Sequence, residues 1–238
     1  MKPLRRLFVI SAFALMLAHP LAIAGQWNNK PYTEWSEKEA MKLLNESPWG
    51  QSHSFTDMSK MFSTGPRGLN PRQTEEANLR QVNFRIRFLS ARPIRKAFVR
   101  AIELKQKGQL PKQFADQLKA FVTNEFRDYI VVVVDFDSTA STGEYEQVRA
   151  LFNNRTTADL KNNTYLQVGG KRVFLDEYQS PKSDGLGARL VFPRLVEGKP
   201  WITEASEDIH FYCELSTTYK LDTRYKIKDM IFQGKLEY

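Results

Sequence analysis

The stretch IVVVVDFDSTAS, residues 130–141, decides how the rest of the chain is read. Ile130 to Val134 are apolar at every position, which suits a strand covered on both faces. The run then meets Asp135-Phe136-Asp137-Ser138-Thr139. Two carboxylates spaced two apart at a strand end have two readings. They supply a nucleophile and a proton shuttle for phosphoryl transfer, or they mark where a buried strand reaches water, with Asp and Ser starting a turn and capping the next helix.

Upstream, VNFRIRFL (82–89) alternates, with Val82, Phe84, Ile86 and Phe88 on one side and Asn83, Arg85 and Arg87 on the other. That is a half-buried strand. Two helices are expected between these strands. One covers roughly 92–107, with Ile94, Phe98, Ala101 and Ile102 on one face. The other covers 111–125, with Phe114, Leu118 and Phe121. Gly108 ends the first and Pro111 starts the second. Further upstream, SEKEAMKLLNE (36–46) reads as a short helix with Ser36 and Glu39 as a capping box, stopped at Ser47-Pro48. GQSHSFTDMSKMF (50–62) is ambiguous between strand and loop, and STGPRGLNPRQT (63–74) reads as an exposed loop. Downstream, GEYEQVRALFNN (143–154) reads as a helix. YLQVGGKRVFLDEY (165–178) reads as a hairpin turning at Gly169-Gly170. ARLVFP, EDIHFYCEL and TTYKLDTRYKIK continue as strands, and in the last Tyr219, Leu221, Thr223, Tyr225 and Ile227 alternate with charged residues. The expected fold class is α+β: mainly an antiparallel β-sandwich with a helical hairpin insertion and a short N-terminal helix.

The chain opens MKPLRRLFVISAFALMLAHPLAIAG. Lys2, Arg5 and Arg6, an apolar run from Leu7 to Ala18, and Ala22-Ile23-Ala24 spell a secretory signal peptide, residues 1–24. The mature chain, 25–238, is then a single mixed helix/strand domain, exported to the periplasm or secreted. No later apolar segment is long enough to span a bilayer. Cleavage removes three positive charges and no acids, so the net charge falls from +8 to +5. That bias suits anionic cell-envelope polymers or lipid headgroups, and export argues against nucleic acid as a partner. The single cysteine, Cys213, rules out an intrachain disulfide.

In haloacid-dehalogenase-type phosphatases, D-x-D-x-T makes the first Asp the nucleophile and the second the acid/base, both beside Mg²⁺. Asp135 and Asp137 occupy those positions. The same chemistry needs a later Ser or Thr, a Lys and a second acidic pair, all from parallel strands, whereas the sequence after residue 160 offers hairpins. The best second acidic pair, Asp176-Glu177, falls on the far arm of one of them. Cys213 shares a strand face with Ile209, Phe211 and Leu215, so it reads as inert packing, with His210 pointing the other way. A dyad with distant His53 is the alternative. No metal-ligand spacing and no cofactor motif is present, so neither a metal nor a cofactor is expected.

From Arg80 to Lys112 ten positives meet one acid, Glu103. Arg85, Arg87, Arg95, Lys96 and Arg100 would form a surface for an anionic polymer, for lipid headgroups or for another envelope protein. The opposing reading is a solvated face balanced by acids such as Glu75, Glu76 and Asp116. Trp27, Trp35 and Trp49 crowd the mature N-terminus. They would stack on sugars if exposed, or staple the N-terminal helix to the domain if buried.

YTEWSEKEAMKLLNESPWG (32–50) resembles the start of a group of exported bacterial envelope proteins, some of them GWxTD-domain proteins. Trp35, Leu43, Leu44, Ser47, Pro48 and Trp49 carry the likeness, and KIKDMIFQGKLEY (226–238) is similar to the group's ending. The Gly-Trp-x-Thr-Asp signature itself is absent. The resemblance implies an envelope protein without catalytic residues to carry over. Together these readings point to a non-catalytic binding or assembly module, with the Mg²⁺-dependent phosphatase as the alternative.

Overall fold

The computed structural model describes Trp27 and residues 30–57, 80–138 and 142–238. The expected signal segment 1–24, the expected loop 63–74 and Thr139 lie outside them. The alternating VNFRIRF becomes strand β2 (Arg80–Phe88), antiparallel to β1 (Gly50–Asp57) on one side and to β3 (Tyr129–Ser138) on the other. β3 pairs antiparallel with β7 (Ala188–Pro193), and β7 with β6 (Glu177–Gln179), giving a five-stranded sheet ordered β1-β2-β3-β7-β6. Cross-strand partners Phe84–Phe136, Ile86–Val134 and Phe88–Val132 place bulky side chains on one face. Directly opposed residues share a side of the sheet, so this pairing builds the core.

Facing them is a four-stranded antiparallel sheet ordered β11-β10-β4-β5. Its strands are β4 (Thr164–Val168), β5 (Lys171–Phe174), β10 (Asp208–Glu214) and β11 (Lys220–Lys226). Leu221, Thr223 and Tyr225 point inward as the alternation predicts. Tyr225 ties the layers together. Its ring meets Phe88 edge-on at 4.9 Å and its hydroxyl donates to the Ile86 carbonyl at 3.1 Å. Helix α4 (Thr142–Asn154) closes one end of the sandwich, where Phe152 stacks on Phe136 at 5.5 Å. A short helix α5 (Thr157–Leu160) follows. Two small hairpins, β8–β9 (Leu195–Val196, Lys199–Pro200) and β12–β13 (Ile231–Phe232, Lys235–Leu236), complete the strands.

The 165–178 hairpin is shorter than its sequence suggests. Leu175 donates its N–H to Thr164 in the small sheet, and the next residue, Asp176, donates to Val191 in the large one. The chain therefore changes sheets between them. Asp176 and Glu177 lie at that crossing rather than on a hairpin arm.

A third layer covers the other face of the five-stranded sheet. It holds α1 (Glu37–Asn45), α2 (Arg92–Lys105) and α3 (Lys112–Thr123). The α1 capping box forms as expected, and Lys30 reaches Glu39 at 2.9 Å. Together with hydrogen bonds from Ser36, this holds the Glu39 carboxyl down to about 2. Ala91 precedes α2 without a side-chain cap, and Glu237 supplies one from across the chain. Its carboxylate accepts from the Arg92 N–H at 3.0 Å and pairs with the Arg92 guanidinium at 3.1 Å. In α3 the expected inward Phe114 is exposed instead. Leu118 and Val122 pack on Val99 of α2 in a small satellite cluster. Trp27, Trp35 and Trp49 are all buried, and Trp49 donates to the Glu237 carbonyl at 2.8 Å. They staple the N-terminal segment to the core and offer no sugar platform.

α1 meets the sheet so closely that Gly50 is required. A Cβ there would lie 2.2 Å from the Leu44 carbonyl oxygen. Gly50→Ala is therefore expected to lower unfolding free energy in urea by about 2 kcal/mol through overpacking. Gly143→Ala, which meets nothing within 4 Å on α4, should instead be neutral or stabilising by about 0.5–1 kcal/mol. Equal effects would contradict the close helix–strand contact.

Candidate functional site

Pairing of β3 continues to Ser138, opposite Val82, so Asp135 and Asp137 lie within the strand and not in a turn beyond it. Both face the helical side of the sheet, Asp135 opposite Arg85 and Asp137 opposite Asn83. Arg85 bridges the two carboxylates, at 2.8 Å to Asp135 and 3.1 Å to Asp137. Asn83 donates to Asp137 at 3.0 Å and accepts from Ser54 at 2.6 Å. The other Asp135 oxygen accepts the Phe136 N–H at 2.7 Å. A phosphoryl-transfer centre of the D-x-D-x-T kind needs a free carboxylate at the edge of parallel strands. Here both neighbours of β3 run antiparallel, and both carboxylates are engaged by a guanidinium. Among the described residues no group of three or more His, Cys, Asp and Glu is placed to hold a metal ion.

Arg87, read from the sequence as part of a polar face, is buried at 3% exposure. Its Nε donates to the Leu44 carbonyl at 2.9 Å, one Nη donates to Asn45 Oδ1 at 2.8 Å, and the other lies 3.6 Å from Asp135. The guanidinium also sits 5.3 Å from the centre of the Phe98 ring. Burial lowers its pKa to about 10, with Asp135 opposing the shift, so it keeps its charge at neutral pH.

The other three cations lie elsewhere. Arg95 is buried at 3% exposure and donates to the Ser90 and Asn124 carbonyls at 2.5 and 2.8 Å, with the Phe126 ring 4.9 Å away. Arg100 donates to the Trp35 carbonyl at 2.6 Å and pairs with Glu103 at 3.5 Å. Lys96 is half-buried among aromatic rings. One anion-binding surface would need all five side chains exposed together, and the fold instead uses Arg87 and Arg95 as internal ties, Arg87 to the Leu44 carbonyl and the Asn45 amide oxygen and Arg95 to backbone carbonyls.

Cys213 is fully buried, and burial pushes its thiol up to about 12. The Thr164 hydroxyl donates to its sulfur at 3.4 Å. His210 lies on the opposite side of β10 and is hydrogen-bonded to Asp222 at 2.7 Å. His53 packs beside Phe55 on β1. These three groups do not converge.

One cluster escaped the sequence reading. The outward side of the four-stranded sheet carries an aromatic stripe. Tyr165 and Tyr212 are cross-strand partners with rings stacked at 5.2 Å. Phe174, 45% exposed, meets Tyr165 edge-on at 5.8 Å, and His210 does so at 6.0 Å. The Arg172 guanidinium lies 4.5 Å over the Tyr165 ring, and Tyr212 donates to Glu214 at 3.2 Å. Period-two parity places Tyr212 and Glu214 opposite Cys213, but bringing Tyr165 alongside requires the β4–β10 register, which no local pattern reports. Comparison with protein-family models, with curated proteins and with solved structures finds no match for this chain.

The Asp135 network makes a structural prediction. Asp135 faces two guanidiniums, one of them buried, whereas Asp137 is half-exposed and meets only one. Asp135→Asn should cost about 2 kcal/mol in urea unfolding at neutral pH, because it leaves a buried charge poorly compensated. Asp137→Asn should cost under about 1 kcal/mol. The reverse ranking would show that Arg87 does not depend on Asp135.

Proposed function

We propose that this protein is an exported, non-catalytic binding module of the cell envelope, and that it grips envelope glycan through the outward side of the four-stranded sheet. The aromatic stripe of Tyr165, Tyr212 and Phe174 carries this reading. Tyrosine rings present an apolar body with a polar tip at little conformational cost. A sugar ring offers the complement, with C–H faces for the aromatic carbons and hydroxyls for hydrogen bonding. Around the stripe, Gln167, Arg172, Glu214 and Asp222 supply donors and acceptors on the same side of the sheet. Export is supported by the basic, apolar and small-residue order of residues 1–24, and an envelope location by the resemblance in residues 32–50. A binding role is favoured over phosphoryl transfer because Asp135 and Asp137 are committed to Arg85 between antiparallel strands.

The test is co-sedimentation of the purified protein with insoluble peptidoglycan sacculi. The wild type should pellet in a saturable way. Tyr165→Ala combined with Tyr212→Ala should weaken retention about tenfold or more, the loss expected of aromatic anchors. No pelleting, or retention untouched by the double substitution, would refute the assignment. A phosphate-ester assay with Mg²⁺ should show no turnover, and turnover abolished by Asp135→Asn would restore the phosphatase reading.

A further inference from the structure

A cavity of about 390 Å³ lies where the segment before α1 meets α2 and the β12–β13 hairpin. Its size falls in the range of small-molecule sites. Two cations border it, and they differ in kind. Lys30 is already paired with Glu39 at 2.9 Å. Lys96 has no carboxylate partner among the described residues. Its ammonium sits 4.8 Å from the centre of the Phe232 ring and 5.8 Å from that of Tyr32. Glu237, whose charge acts on Lys96, is committed to Arg92. Ring faces offset only part of the cost of removing an ammonium from water, and its N–H groups seek an acceptor.

Trp35 lines the same cavity at 1% exposure. Its indole Nε1 is buried without a hydrogen-bond partner among the described residues. The N–H itself is closed off from the cavity, so Trp35 supplies an aromatic wall and its N–H a reporter beside it. A cation without a carboxylate partner and aromatic walls describe one class of occupant.

We infer that this cavity binds a small organic oxyanion, a carboxylate or phosphate ester carried on an apolar or aromatic body, with Lys96 as its charge partner and Tyr32 and Phe232 against the body. The site is separate from the aromatic stripe of the four-stranded sheet and does not rest on the glycan reading.

The whole protein is titrated with benzoate, with phenyl phosphate and with neutral benzyl alcohol, using calorimetry and the indole N–H resonance of Trp35. At least one anion should bind saturably and shift that resonance, and benzyl alcohol should not. If only benzoate or only phenyl phosphate binds, the occupant is the corresponding carboxylate or phosphate. Lys96→Gln should raise Kd about tenfold, ~1.4 kcal/mol, while Tyr165→Ala with Tyr212→Ala leaves it unchanged. Three results would overturn the proposal: neither anion binding, benzyl alcohol binding as tightly as the anions, or a folded Lys96→Gln binding as wild type. Should Lys96→Gln fail to fold, the Trp35 resonance in the wild type decides, because absence of an anion-specific shift is then the contradicting result.

Discussion

Arg87 holds a positive charge at 3% exposure between a sheet and two helices, and the groups it touches come from distant parts of the chain. Leu44 and Asn45 belong to the end of α1, Phe98 to α2 and Asp135 to the middle of β3. The last carbonyls of a helix have no partners within it. By taking the Leu44 carbonyl, Arg87 satisfies one of them with a charge of the sign favoured at a helix C-terminus. The buried cation and the end of α1 therefore stabilise each other, and Asp135 keeps the charge tolerable. Arg95, in the first turn of α2, repeats the device, donating to carbonyls at the end of α3 and at the β2–α2 junction.

Among the described residues, this arrangement leaves the two aspartates in one ion-pair network rather than in a convergent reactive site. Arg85 draws both carboxylates into one network, and Asp135 extends it to Arg87. A carboxylate so engaged is a poor nucleophile. The features that suit binding lie at the margins of the sandwich instead. One is the outward side of the small sheet, and the other is the cavity where the N-terminal segment crosses the helical layer.

Much of the fold is legible locally. The five apolar residues of β3 announce a strand covered on both faces, and helices on one side and a second sheet on the other supply the cover. The alternation in β2 and β11, the Ser36–Glu39 cap and the Gly169-Gly170 turn all form from short-range rules. Three of the failures share a cause, since each depends on what lies across the sheet. Arg87 reads as solvent-facing because alternation reports parity and not what covers a face. Asp176 reads as a hairpin arm because the switch between sheets depends on partners at Thr164 and Val191. The aromatic stripe depends on Tyr165 lying opposite Tyr212, a register set by the whole small sheet.

The central claim is that the Arg87 guanidinium fastens the helical layer to the five-stranded sheet. Urea unfolding of Arg87→Met, followed in parallel by tryptophan fluorescence and far-ultraviolet circular dichroism, tests it most directly. Trp27, Trp35 and Trp49 report on the N-terminal segment and helical layer. Loss of the guanidinium leaves the Leu44 carbonyl and the Asn45 amide oxygen unsatisfied, so stability should fall by about 3 kcal/mol. The fluorescence transition should then precede the loss of secondary structure. A fall of less than about 1 kcal/mol, within the range of an ordinary surface substitution, with the two transitions coincident, would contradict the account.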